Sequence, residues 1–333
     1  IFVPESERWE HERDKGATSH WASADLFGVL IGGLGAVAII GVWAPGFPEL
    51  VVRRLGEMGV TDNLERITLA VRIGISAAGF AIALKGYTYP VKKFLGRSDS
   101  NDIPELHRAR PTFRRMLMGA SLSGVALLGT WGSVQQAPPY TNGLIQESER
   151  KAFREANAEF AAEQPLPAEV ELYIRQSAQR GASFAQAWAA AGAILGTILA
   201  ALIANRFGRR VTYFFLCAGS LVVIPTFYLT QKSVDPMFFF MNFVMGAVTA
   251  SFYGWLPLYL PEIFRTAVRA TGQGFSFNFG RILAAIGVLQ LGNLTALFAG
   301  GLPVACASLS GIYLVGMALI WLVPETKGRP LPE

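Results

Sequence analysis

Long apolar runs broken by short polar links set the pattern of this chain. Eight segments reach the roughly 20 apolar residues that an α-helix needs to cross a bilayer core. They run over Ala24–Phe47, Ile67–Tyr89, Phe113–Gln136, Phe184–Ala204, Val211–Thr230, Pro236–Leu260, Gly272–Leu294 and Pro303–Val323. The pattern predicts an all-α membrane protein. Two of the runs carry small residues one helical turn apart, Gly28, Gly32 and Ala36 in the first and Gly192, Gly196 and Ala200 in the fourth. Such spacing lets backbones approach closely in lipid, where apolar burial gives helices no drive to associate.

Composition agrees with this. The chain is 52% hydrophobic and 16% charged, against roughly 25% charged in a soluble domain. The formal charge of +5 does not call for a nucleic-acid partner, because basic residues in membrane proteins mark cytoplasmic loops. With the N-terminal segment inside, the inside pieces are 1–23, 90–112, 205–210, 261–271 and 324–333. They hold Lys92, Lys93, Arg97, Arg108, Arg110, Arg206, Arg209, Arg210, Arg265, Arg269, Lys327 and Arg329. The two longer outside loops, 48–66 and 137–183, balance their basic residues with Glu and Asp. Both termini of the chain are therefore expected in the cytoplasm of a cell whose plasma (inner) membrane holds the protein. The polar start, with no initiator Met and no signal pattern, reads as a piece of a longer protein.

Loop 137–183 contains the charged helical pattern ESERKAFREANAEFAAEQ and a second amphipathic run, Val170–Gln179. Loops of this length tend to be lids or binding surfaces, though a solvated spacer fits equally well. In loop 48–66, Asp62 followed by Glu65 suggests a helix start.

Candidate chemistry is sparse. Cys217 and Cys306 lie in apolar runs and read as small hydrophobes. The three histidines, His11, His20 and His107, lack a second ligand at metal spacing. No span holds a nucleophile and base together, so neither an enzyme, a cofactor nor a metal site is expected. Polar residues aligned inside spans are the better signal. Asn242, Gly246, Thr249 and Tyr253 share one helical face, as do Gly274, Asn278, Arg281 and Ala285. Trp131 and Gln135 are one turn apart, with Gln136 adjacent, and Gln186 and Thr197 share a face with Ala190 and Ala193. Amides and hydroxyls with aromatic walls suit a sugar-like solute. For any one of them an interhelical hydrogen bond is an equal reading.

Arg281 is costly, since an arginine at a helix centre is about +2.5–3.5 kcal/mol on insertion scales. It lies about 13 Å along the helix from Gly272, at 1.5 Å per residue. Its guanidinium suits a carboxylate, which favours an acidic solute, although its length also allows snorkelling. No Asp or Glu sits deep in any span, so a proton carrier is expected outside this stretch.

Short motifs stand at the helix ends. They are Asn205-Arg206-Phe207-Gly208-Arg209-Arg210, Pro261 to Gly272 (PEIFRTAVRATG), Pro324-Glu325-Thr326-Lys327-Gly328, and Pro4-Glu5-Ser6-Glu7-Arg8 at the start. Together they resemble the major facilitator superfamily, in its sugar-porter and sialic-acid-porter branches, over residues 1–23 and 110–333. Asn205 replaces the family's Asp, Arg265 its second Pro and Glu7 its Pro in the opening motif. The NFGR run at Asn278–Arg281 is more similar to the sialic-acid and organic-acid porters.

The resemblance implies a six-helix C-terminal transporter bundle over 113–323 and a cytoplasmic tail over 324–333. Residues 1–23 would end the central loop, and 24–89 would be two inserted helices joined by the linker 90–112. An N-terminal six-helix half would be missing. It also implies a cytoplasmic gate in which Arg206, Arg209, Arg210 and Arg269 face Glu262, Glu325 and Glu5. The expected function is secondary active transport of a small polar solute, a sugar acid or organic acid, by proton symport. Its partners would be that solute, protons, the bilayer and the missing half. A neutral sugar porter, a drug exporter and a non-transporting membrane sensor or scaffold remain alternatives.

Overall fold

The computed structural model describes residues 25–44, 46–99, 109–157, 164–298 and 300–332, with Glu10 and Asp14. Among them there are helices and no strands. Among the described residues, seven helical stretches are long and apolar enough to cross a membrane, and a bent pair makes an eighth if it is counted as one span. The chain divides into two compact units, one of residues 1–124, 260–289 and 330–333, the other of 125–259 and 290–329.

In the first unit, α1 (Leu26–Trp43) ends at a sharp turn, where Gly46 takes φ +89°. The short helix α2 (Phe47–Glu57) then leaves at 79° to it, so the first span is shorter than the apolar run suggests. Helix α3 (Leu64–Asp99) begins just past Asp62 and runs for 36 residues.

Helices α1 and α3 are antiparallel and meet along glycines. Gly28, Gly32, Gly35, Ile39 and Val42 form the buried edge of α1, a seven-residue repeat that keeps one seam facing its partner. Gly79, Ala83 and Gly86 answer it on α3, and a Cβ on Gly35 or Gly86 would overlap the facing backbone. The seam takes Gly35 where the sequence spacing pointed to Ala36, because a 3.5-residue period, not a strict four, follows a twisted pair.

The pair packs on α9 (Arg269–Leu289), with Phe80 and Phe279 5.2 Å apart. The first part of α4 (Ala109–Gly132) also meets α9, where Ser276 donates to Met116 O at 3.3 Å. Arg115 there donates to Ile263 O at 3.0 Å.

In the second unit, the rest of α4 passes through a short 3-10 turn, Val134–Gln136, into α5 (Ala137–Ala156). Helix α6 (Ala168–Phe207) has 40 residues, about 60 Å at 1.5 Å per residue, twice the roughly 30 Å of a bilayer core. Its first part therefore lies outside lipid and pairs with α5. Arg150 holds Glu171 with Nε and Nη2 at 3.2 and 3.0 Å, and Ser177 donates to Glu149. The charged loop is thus largely a helical hairpin.

Farther along, Gly192 and Gly196 of α6 press on the backbone of α8 (Pro236–Ile263), as the small-residue spacing predicts. Helix α7 (Arg209–Thr230) packs against α11 (Gly301–Leu309) and α12 (Ile312–Leu319). The last predicted span is therefore two helices, interrupted at Ser310 and Gly311. The seventh likewise breaks at Gln290 before α10 (Leu291–Leu297).

Candidate functional site

A cavity of about 660 Å³ opens in the second unit among α4, the start of α5, α6 and α8. Its polar lining is Thr130, Gln135, Gln186, Thr197, Thr249 and Tyr253, set among small residues including Ala190, Ala193 and Gly246. Close packing creates this lining. A Cβ on Gly246 or Gly254 would overlap the α6 backbone at Ala189 or Thr197, so glycines bring α8 onto α6. Hydrogen bonds then lock the pair. Asn242 Nδ2 donates to Ala185 O at 2.6 Å, and Ser251 Oγ to Gly196 O at 2.9 Å.

The threonines turn their protons inward. Thr130, Thr197 and Thr249 donate to Ala126, Ala193 and Met245 carbonyls at 2.8, 2.9 and 2.7 Å. Each hydroxyl oxygen is left as an acceptor. The amides of Gln135 and Gln186 make no hydrogen bond among the described residues, so they offer donors as well as acceptors. Among the described residues, no Asp, Glu, Lys, Arg or His lines the cavity. Its chemistry is neutral hydrogen bonding beside the Tyr253 ring.

Of the residues singled out in the sequence, Gln135, Gln186, Thr197, Gly246, Thr249 and Tyr253 meet at this cavity, together with Ala190 and Ala193. Asn242 is fully buried and turned to α6. Gln136 donates to Trp131 O at 3.2 Å, and neither residue lines the cavity. Thr130 was not among the polar residues singled out in the sequence.

Asn278 and Arg281 belong to the first unit, on the exposed face of α9. Arg281 Nη1 donates to Asn278 Oδ1 at 3.3 Å, and its guanidinium lies 4.7 Å from the Phe277 ring centroid. Asn278 Nδ2 in turn donates to Gly274 O. The shared face predicted for them is present.

Two further cations lie in the apolar run of α3, where the rule that flagged Arg281 applies equally. Arg72 donates from Nε to Val42 O at 3.0 Å and stacks on Trp43 at 4.9 Å. It thereby caps the end of α1. Lys85 is exposed.

The helix-end motifs gather in two places. In the second unit Glu325 accepts from the backbone N–H groups of Arg209 and Arg210 at 2.9 and 3.0 Å, and from those of Thr326 and Lys327. Burial pushes its carboxyl up, but these four donors outweigh burial and hold it below the usual carboxylate range. The carboxylate caps the N-terminus of α7, where helix ends favour negative charge. Gly208 takes φ +98°, and a Cβ there would lie 3.0 Å from the carboxylate.

Lys327 Nζ donates to Arg206 O at 2.7 Å, closing the other side of the turn. Arg209 Nη1 donates to Ala204 O and Asn205 Oδ1, and Arg210 Nε to Val323 O. Trp255 Nε1 and Tyr259 OH reach Arg209 O and Pro324 O at 2.9 and 2.8 Å. Glu325 thus meets the main chain of Arg209 and Arg210. In the first unit, Arg269 donates to the carbonyls of Pro261, Phe264 and Pro332, and Glu262 stands on the last turn of α8. Glu5 and the opening motif lie outside the described residues.

Apolar helices of this length and number define a multi-pass membrane protein. Residues 145–333 match the family described as Sugar (and other) transporter. The chain belongs to this family, within the major facilitator superfamily, whose members are transporters and not enzymes. It is 32% identical over 96 residues to the Cis,cis-muconate transport protein of Acinetobacter baylyi, covering 28% of this chain and 22% of the relative. It is 29% identical over 131 residues to the Probable 4-methylmuconolactone transporter of Cupriavidus pinatubonensis, covering 38% of this chain and 29% of the relative. The matched stretches thus span less than a third of either relative.

Proposed function

We propose that this chain contributes eight helices to a secondary active transporter that moves a small organic acid or sugar acid by alternating access, driven by protons. Residues 113–323 form one six-helix bundle, 24–89 are an inserted helix pair, and a second six-helix half completes the working protein. Both ends of the chain face the cytoplasm across the plasma (inner) membrane. Arg281 carries the acid reading: a guanidinium on the exposed face of an apolar helix, steadied by Asn278 and Phe277. A charge kept there at such cost is a functional residue by default. The names of the two relatives, a muconate and a muconolactone transporter, support the same substrate class. Gln135, Thr249 and Tyr253, which line the cavity, would shape the path for the solute, with Asn242 holding α8 against α6 beside it and Trp131 and Gln136 bonded to each other at the end of α4.

The cavity in the second unit favours a second reading, because its lining among the described residues carries no charge. A neutral solute would need only the amides and oxygens present there. Uptake by cells producing the full-length protein separates the two. Muconate-like acids and neutral sugars are each supplied with and without an imposed pH gradient. The acid reading expects acid uptake that the gradient drives. Arg281→Ala should abolish it and Arg281→Lys reduce it about tenfold or more, since loss of a bidentate charge-assisted pair exceeds 1.4 kcal/mol. Sugar uptake with no acid uptake would overturn it, as would normal acid uptake by Arg281→Lys.

The helix-end charges support a gate on the cytoplasmic side, formed by Arg206, Arg209, Arg210, Glu262, Arg269 and Glu325. Pairs that form in one state only bias a two-state equilibrium, although each is worth just about 0.2–1 kcal/mol when solvated. Charge reversal of Glu325 should shift accessibility of the site to a membrane-impermeant thiol reagent. Unchanged accessibility and transport would remove the gate.

A further inference from the structure

Helices α1 and α3 leave a groove of about 430 Å³ on their outer face. Phe27, Ile31, Ile82 and Tyr89 wall it, and Gly28 and Gly86 keep it open. A Cβ on Gly28 would meet the Tyr89 ring at 2.7 Å, so the shape depends on glycine. The walls are exposed apolar side chains, Phe27 at 67% and Ile31 at 56%.

One lining residue is charged. Lys85 lies four residues before Tyr89, about 6 Å along the helix, within the apolar run of α3. Its ammonium makes no hydrogen bond, ion pair or ring contact among the described residues. The neighbouring cations differ. Lys92 and Lys93 lie 5.6 and 5.7 Å from the rings of Phe113 and Tyr89, and Arg72 is held by Val42 O and Trp43. Lysines 85, 92 and 93 fall on one side of α3, seven and eight residues apart. An ammonium in hydrocarbon demands a partner. A lysine one turn from the end of a span can lift its charge to headgroup level while its stem stays against apolar surface.

We propose that this groove binds one anionic phospholipid, with an acyl chain along Phe27, Ile31 and Ile82 and the phosphate at Lys85. The amphiphile matches both halves of the site, and the bilayer supplies it at high concentration. That the lipid comes from the cytoplasmic leaflet rests on the topology proposed above. The lipid assignment itself rests on the groove.

The test uses the full-length protein in mild detergent with a photoactivatable phosphatidylglycerol, followed by peptide mapping. Label should fall on the peptides of α1 and α3. Lys85→Gln should lower it about fivefold, the worth of one lysine at an anionic headgroup, and Lys85→Arg should keep it. Ile31→Trp, which fills the groove and spares the charge, should lower it too. A phosphatidylcholine probe with the same chain should label weakly, and excess glycerol phosphate should not compete. Equal labelling of wild type and Lys85→Gln would overturn the proposal. So would equal labelling by both lipids, or crosslinking of Ile31→Cys to another polypeptide in place of lipid. Labelling is read without transport, so this test and the uptake assay fail separately.

Discussion

Glu325 has to be ionised to cap α7, because its four bonds all come from backbone N–H groups. Its folded-state pKa is lowered, so its contribution to stability is full above the ordinary carboxylate value of about 4.3. That contribution disappears as pH falls through the lowered folded value. Glu325→Gln should cost about 1 kcal/mol, the scale of a lost N-cap, and should flatten the acid limb of a plot of thermal unfolding against pH. An unchanged acid limb would place the cap's worth elsewhere. The motif that contains Glu325 was readable in the sequence, and the family resemblance set Arg209 and Arg210 opposite it, but as side chains. Spacing puts Arg209 and Arg210 near a helix start, but only the fold decides that the carboxylate meets their amides.

The α1–α3 pair is decided at the scale of elements by where a methyl group fits. Gly35 has no room for one, whereas Gly41 on the same helix has nothing within 4 Å. Gly41→Ala should therefore be neutral or stabilising, by up to about 1 kcal/mol, since alanine is the better helix former. Gly35→Ala should lower stability by about 1–3 kcal/mol through overpacking. Thermal unfolding of the two variants in detergent checks this, and equal melting points would mean the seam is loose. The small-residue pattern was visible in both α1 and α6. In α6 it chose the contact residues directly, because Gly192 and Gly196 face α8. In α1 the seven-residue drift of a twisted pair moved the contact from Ala36 to Gly35.

For the whole molecule, the polar-to-apolar pattern implies a direction across the membrane, and labelling tests it. Lys151→Cys, on α5, should react with an impermeant maleimide added to intact cells, whereas Lys327→Cys should react only after permeabilisation. The reverse pattern would invert the proposed topology. Because α6 is about twice as long as a bilayer core is thick, the α5–α6 hairpin should stand clear of lipid on the side of Lys151. Its Arg150–Glu171 pair is partly exposed, with side chains at 40% and 27%. Glu171→Gln should accordingly change stability by less than about 1 kcal/mol in the same unfolding assay.

The sequence by itself determined that this is a bundle of membrane helices, and it placed their apolar cores to within a few residues. That follows because a bilayer imposes one length and one hydrogen-bonding solution on any spanning segment. It also marked the helix-end motifs and the face shared by Asn278 and Arg281, since a helix fixes which residues three and four apart lie together. Tertiary structure alone decided that Gln135, Thr249 and Tyr253 share a cavity while Asn242 locks α8 to α6. It likewise decided that Arg72 is satisfied and Lys85 is left facing a groove. Helical periodicity gives each residue an angle around its own axis. Which neighbour occupies that angle depends on how closely two backbones approach, and glycines far from the residue in question set that distance.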